Sequence, residues 1–343
     1  MLVSVPAGRP ADFWIGTHRG GLYPLRHDGG QWSPGEPYTQ ALSASFGVYS
    51  PLHDLQYLVD ERDDGAVGIY RKATSGWTRL AQIAVRGDAP CHLALSSDQT
   101  RLAVANYASG SVTLFLLDHD GIPVAPGQVF AATGSGPDRT RQTGPHAHWV
   151  GFDAADRWLY AVDLGSDAIH AVAMTATGGE VLRTAFKAPP GSGPRHLLLH
   201  PHRPNIAYLA CELANTLVLL SGGDGAFTAI ETLSTLPAGF GGPSIVAHLA
   251  INAAGDRLYV SNRGHDSIAV FALDDAGTPR LIQHAPVGAA YPRHFLLLED
   301  EACLIVANEK DECVTVLPIE SNGMPGRSVA RVAVPGAAFV LRA

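Results

Sequence analysis

The chain is poor in the features that mark several common protein classes. It has no run of lysine and arginine, and 24 basic residues face 32 acidic ones for a net charge of -8. No basic face is therefore available to displace the counterions of a nucleic acid. No apolar run approaches the roughly 18 residues that a membrane span requires. The opening stretch, MLVSVPAGRPADFW, lacks the basic start and the apolar segment of a secretory leader. There are only four cysteines, Cys91, Cys211, Cys303 and Cys313, and they form no CxxC motif. They read as small buried thiols, with a Cys303–Cys313 bridge between neighbouring strands as the alternative. A cytoplasmic location is the corresponding expectation. No GxGxxG or Walker loop stands between a strand and a helix, and Ser192 in GSGPRH is not a nucleophile elbow. No cofactor is expected. Helical periodicity is missing as well: no segment longer than one turn shows it.

What the 343 residues do contain is a repeat. The composition is 46% hydrophobic, enough for a large core. A turn ending in glycine recurs at Gly29, Gly76, Gly121, Gly178, Gly225, Gly277 and Gly323. A second marker closes a short apolar run at Thr17, Asp60, Asn106, Asp163, Cys211, Asn262 and Asn308. The two series stay in phase, including one long step between the third and fourth repeats. Each repeat holds four short strands, a to d, as in CHLALSSD, RLAVAN, SVTLFLLD and GQVFAAT. Four strands in about 45–50 residues match a propeller blade. FWIGTH at the start matches strand b, and PGAAFVLRA at the end matches strand a. The expectation is an all-β, seven-bladed β-propeller of four-stranded antiparallel blades, one domain over 1–343, its ring closed by N- and C-terminal strands sharing one blade.

Antiparallel pairing puts the start of strand a and the end of strand b on one rim. Before strand a stand Ser45, Cys91, His148, Arg195, Ala247 and Arg293, followed by Phe46, His92, Trp149, His196, His248 and His294. After strand b come His18, Glu61, Tyr107, Leu164, Glu212, Arg263 and Glu309. The arginines and glutamates matter most here, because such residues are almost never fully buried unless paired. They mark a pairing network or a ligand site at one mouth of the channel. Glu61, Glu309 and Arg293 are equally consistent with solvated loop charges. His92, His196, His248 and His294, which start inner strands, read first as core groups hydrogen-bonded to neighbouring blades, with a ligand role as the alternative. The long step places ATGSGPDRTRQTGPHAH on the same rim, with Arg139, Arg141, Gln142, His146 and His148. Long loops in compact folds commonly bind ligands. His146-x-His148 has the spacing of a metal pair, with His92 or Glu212 as the conceivable third ligand, but spacing alone is weak evidence and no metal is expected.

GSGPDRTRQTGPHAHWVGFDAADRWLYAVDLGSDAI, GPRHLLLHPHRPNIAYLACELANTL, GDRLYVSNRGHDSIAVFALD and YPRHFLLLEDEACLIVANEKDECVTVL carry a resemblance over nearly the whole chain. The sequence resembles the lactonase seven-bladed propeller family, which includes propeller-type bacterial 6-phosphogluconolactonases and has fungal carboxymuconate cyclases as relatives. The family's site residues carry over by motif to His148, Arg195 of PRH, Glu212 after the fifth b strand and Arg263 of SNRG. Two departures stand out: Cys211 replaces the usual asparagine before the glutamate, and SASF and VDE replace the usual second-blade motifs.

The resemblance implies hydrolysis of an anionic sugar-acid lactone, with 6-phospho-D-glucono-1,5-lactone favoured. An unphosphorylated or dicarboxylic lactone, a muconate-type cycloisomerisation and a non-catalytic interaction propeller are the alternatives. His148 is the expected general base, as a group titrating near neutral pH, with Glu212 orienting it or sharing that role. Arg195 and Arg263 would hold an anionic group or the carbonyl oxygen. Arg141, Gln142, His146, His92, His18 and Arg293 would bind substrate. The expected partner is that small molecule, with neither nucleic acid nor membrane, in a monomer or a dimer.

Overall fold

The computed structural model describes residues 13–73 and 76–342. The leader reading and Ser75 of one turn lie outside them. Seven antiparallel sheets follow one another around a ring. Blade 2 runs Gly47–Ser50, Leu55–Asp60, Ala66–Ala73 and Gly76–Ala84. Blade 3 runs Pro90–Leu95, Arg101–Asn106, Ser111–Leu116 and Gln128–Ala131. Blade 4 has Ala147–Phe152, Trp158–Asp163, Ala168–Thr175 and Arg183–Lys187, with a two-residue extra strand at Gly178–Gly179. Blade 5 has Pro194–Leu199, Ile206–Cys211, Thr216–Gly223 and Ala226–Ser234. Blade 6 has Ile245–Ile251, Arg257–Arg263, Ser267–Leu273 and Pro279–Pro286. Blade 7 has Pro292–Leu298, Cys303–Asn308, Cys313–Pro318 and Ala330–Ala333.

Blade 1 joins the two ends of the chain. Its inner strand, Ala337–Arg342, pairs with Phe13–Thr17, and Tyr23–Asp28 and Gln31–Pro34 complete it. Closure leaves no open inner edge for another chain to pair with.

The core is divided among the interfaces. Seven buried apolar clusters lie between adjacent blades, each built from the facing sides of two sheets. Tyrosines on strand b latch one blade to the next. Tyr57, Tyr208 and Tyr259 donate to the carbonyls of Gly121, Gly277 and Gly323 in the following blade, at 2.6, 2.6 and 2.8 Å. Tyr160 accepts from the Gly225 amide at 3.0 Å. The glycine marker is therefore an inter-blade contact as well as a turn. Gly121 has φ +81, and a β-carbon there would press on His53.

All four cysteines are free and buried. Cys303 and Cys313 sit at opposite ends of one hairpin, paired with Pro318 and Asn308, which excludes the alternative bridge.

Truncation after Gly336 tests the closure. It removes the inner strand of blade 1 and uncovers Ile15 and Phe13. The expected outcome is loss of a cooperative thermal transition and a shift to aggregates in size-exclusion chromatography.

Candidate active site at one mouth of the channel

The inner strands are built to crowd one mouth. Alternation along a strand sends successive side chains to opposite faces. An extra residue breaks that alternation near the start of strand a in six of the seven blades. Pro90 and His92 pair with Asn106 and Ala105, which leaves Cys91 unpaired. The same register shift frees His148, Arg195, Arg293 and Ala338, and in blade 6 it sets Ala247 and His248 against Ser261. Such bulges re-aim side chains beside functional sites. The sequence reading placed these residues before strand a. They lie inside it, because the strand begins one or two residues earlier and then bulges.

A second device fixes the residues after strand b. The backbone amides of His18, Glu61, Tyr107, Leu164, Glu212 and Glu309 donate to carbonyls just ahead of strand a, those of Gly336, Ser43, Ala89, His146, Gly193 and Tyr291. Strand ends and bulges are thereby locked around one opening.

Two tiers result. The lower tier is a closed circle of rings: Phe46, His92, His196, His248, His294 and Phe339, with neighbouring centroids 4.0–5.5 Å apart. His92 Nδ1 accepts from the Val150 amide and His294 Nδ1 from the Val340 amide, both in the next blade at 3.4 Å. His92 is thus part of the floor. A cavity of about 710 Å³ lies on its far side, touched by His248, His294, Leu297 and Arg342.

The upper tier centres on Glu212, which is 1% exposed. Its Oε1 lies 2.6 Å from Arg141 Nη2, and its Oε2 lies 2.6 Å from Arg263 Nη2 and 3.0 Å from Arg195 Nε. Burial opposes ionisation, but Arg263, Arg195, His148 and Arg141 overcome it and hold the carboxyl well below its ordinary value. Three guanidiniums against one carboxylate leave this pole positive. Arg195 is further held by Nη1 donating to Ala247 O at 2.6 Å, and by the contact with His196 Nε2 at 3.1 Å. Since His196 Nε2 accepts, its Nδ1 carries the proton toward His248 Nδ1, 3.4 Å away.

His148 stands beside this cluster, 7% exposed, with its ring edge-on to Tyr107 and His196. Its Nδ1 is buried without a hydrogen-bond partner among the described residues. Burial first, and then Arg195, hold its pKa well below 6.5. An ordinary imidazole titrates near neutral pH; here burial and the Arg195 charge favour the neutral ring. The long loop delivers Arg141 to Glu212, and Arg141 also donates to Tyr107 Oη at 3.2 Å. His146 stacks on Tyr107 at 4.6 Å and donates from Nδ1 to Tyr107 O.

Gln142 is fully buried. Its amide donates to Leu164 O at 2.9 Å and Asp167 Oδ1 at 2.8 Å, so it staples the loop and does not line the opening. Asp167 also accepts from the Gly191 and Gly193 amides, tying that loop to the turn ahead of Arg195. Sequence reasoning missed Asp167, and nothing in its local pattern marks it.

The other side of the mouth holds His18, Glu61, Glu309 and Arg293. Ser45 Oγ donates to Glu61, His18 Nδ1 lies 3.6 Å from the same carboxylate, and Arg293 Nη1 lies 3.6 Å from Glu309. Burial pushes the Glu61 carboxyl up, and burial with Arg293 pushes His18 down to about 3. These groups are half-buried and mutually paired, so they are part of the site's wall and not loose loop charges. Among the described residues no group of three or more His, Cys, Asp or Glu is close enough to hold a metal ion, and no helix is long and apolar enough to cross a membrane.

The fold is a seven-bladed propeller with a histidine, three arginines and a buried glutamate gathered at one mouth of its channel. The model of the lactonase seven-bladed β-propeller family matches residues 12–342, so the chain belongs to that family and is a lactone hydrolase. It is 30% identical to the 6-phosphogluconolactonase of Bacillus subtilis over 87% of this chain and 88% of that one. Among solved structures, the periplasmic gluconolactonase of Pseudomonas aeruginosa superposes with a TM-score of 0.87 at 26% identity, over 96% of this chain and 98% of that one. A protein from Lactobacillus plantarum matches with the same TM-score, identity and coverage.

The buried histidines make the fold acid-sensitive. His92, His148, His196, His248 and His294 are all held below 6.5 in the folded state, burial being the largest cause for each. Their contribution is complete above about pH 6.5 and is lost as pH falls, because the unfolded chain takes up the protons, at up to about 1.4 kcal/mol per pH unit for each ring. Urea denaturation at pH 7.5, 6 and 5 should show this loss, and His294→Phe should flatten it. Glu212→Gln should lower stability by about 3–5 kcal/mol at pH 7 in the same assay, since it leaves buried guanidiniums without their counter-charge.

Proposed function

We propose that the protein hydrolyses a sugar-acid lactone, 6-phospho-D-glucono-1,5-lactone in particular, at this mouth. The observation that carries the reading is the His148 imidazole, its Nδ1 buried with no hydrogen-bond partner among the described residues, beside a carboxylate held by three arginines. Glu212 is too strongly held in its ionised form to act as the base. His148, whose neutral form burial favours, takes a proton from the attacking water. The oxygen of that water bonds to the lactone carbonyl carbon. The carbonyl oxygen gathers negative charge, which the Arg195 and Arg263 guanidiniums face. Glu212 keeps those guanidiniums in place and stabilises the imidazolium.

Collapse of the tetrahedral intermediate breaks the acyl–oxygen bond, and the ring alkoxide takes a proton. His148 returns its proton to that alkoxide, which restores the base. Arg141, His146, His18 and Arg293 line the opening and bind the polyol. No cofactor enters the scheme. A cytoplasmic site of action accords with a phosphorylated substrate and with four free, buried thiols.

The test is a pH-stat assay on glucono-lactone with and without the 6-phosphate, and on a dicarboxylic sugar lactone. His148→Ala should lower kcat about 10²–10⁴-fold on the preferred lactone, the range for loss of a general base. Preference for an unphosphorylated lactone would keep the site and change the substrate. Absence of turnover above the spontaneous rate would overturn the reading.

A further inference from the structure

The arginines of the mouth already face carboxylates. Arg141, Arg195 and Arg263 share Glu212, and Arg293 is opposed by Glu309. A ligand with a second anionic group needs a cation that is not committed in this way. Lys310 meets that need. It is exposed, in the turn that follows strand b of blade 7, and its ammonium lies 4.0 Å from the centre of the Tyr291 ring. It makes no ion pair among the described residues. Arg263 meets the same ring, with its guanidinium carbon 5.3 Å from the centroid. Tyr291 therefore bridges the buried cationic cluster and a free surface cation.

The backbone at Tyr291 makes this arrangement costly. Its φ is +72. The residues at the corresponding place in four other blades are also left-handed, but they are Gly336, Ser43, Ala89 and Gly193, all small. A bulky side chain in that region is an outlier, and such strain gathers at ligand clamps. The fold imposes the conformation: the Tyr291 amide donates to Asp266 at 2.8 Å and its carbonyl accepts from Glu309 N at 3.0 Å. Nothing in the fold imposes the ring.

We propose that Tyr291 and Lys310 form a distal anion subsite at the lip, beside Arg263, which takes the phosphate of a phosphorylated sugar acid. Its ligand class rests on the lactonase reading above. The ring holds the ammonium in place by cation–π attraction and walls the subsite from solvent. Lys310 supplies the charge, and Arg263 continues the positive field inward.

The experiment is calorimetric titration of 6-phosphogluconate and gluconate into wild type, Lys310→Gln and Tyr291→Asn. Binding is read without turnover, so its outcome is separate from that of the lactone assay. Wild type should bind the phosphorylated acid more tightly. Lys310→Gln should weaken that ligand about tenfold and leave gluconate unchanged. Tyr291→Asn should do the same without lowering Tm, since asparagine accepts the left-handed backbone. A wild type with no preference for the phosphorylated acid, or a preference that survives Lys310→Gln, overturns the proposal. A fall in Tm for Tyr291→Asn with phosphate preference intact would show the ring to be structural and overturn its part.

Discussion

The Glu212 carboxylate is the interaction around which the mouth is arranged. Its two oxygens gather one guanidinium from the long loop, one from the bulge of blade 5 and one from the end of strand b in blade 6. Those three segments are far apart in sequence. Buried arginines would repel one another, and a lone buried carboxylate would be protonated. Together they are mutually compensated, with a surplus of positive charge that faces the opening. The supporting bonds serve the same end. Asp167 ties the loop that carries Arg141 to the turn that precedes Arg195, and His196 and Ala247 O fix the far side of that guanidinium.

The fold was legible because two spaced markers report one repeating unit. The glycine turn and the residue closing strand b both have physical duties in several of the repeats. Asn106 and Asn308 hydrogen-bond into the neighbouring strand c, and the glycine turns receive the tyrosine latches. The site was legible to the extent that burying Arg and Glu is costly. His148, Arg195, Glu212 and Arg263 converge as their residue types and positions suggested, and Arg141 joins them from the long loop. His18 and Arg293 form the opposite wall.

Other features could not be read from the chain. Bulges leave no mark in a sequence, because an extra residue in one strand shows only against its partner. Gln142 looks like a ligand group until its buried amide is seen spending its bonds on the protein. The loss of basicity at His148 comes from neighbours distant in sequence. Tyr291 is one tyrosine among ten, and its backbone conformation is visible only in three dimensions.

The aromatic floor also binds the ring of blades to itself. Its six rings follow one another around the channel, neighbours 4.0–5.5 Å apart, and come from blades 1, 2, 3, 5, 6 and 7. Each ring touches rings of two other blades, so a change at any one of them bears on the fit of three sheets at once. The circle thereby couples the seating of separate blades directly beneath the charged tier.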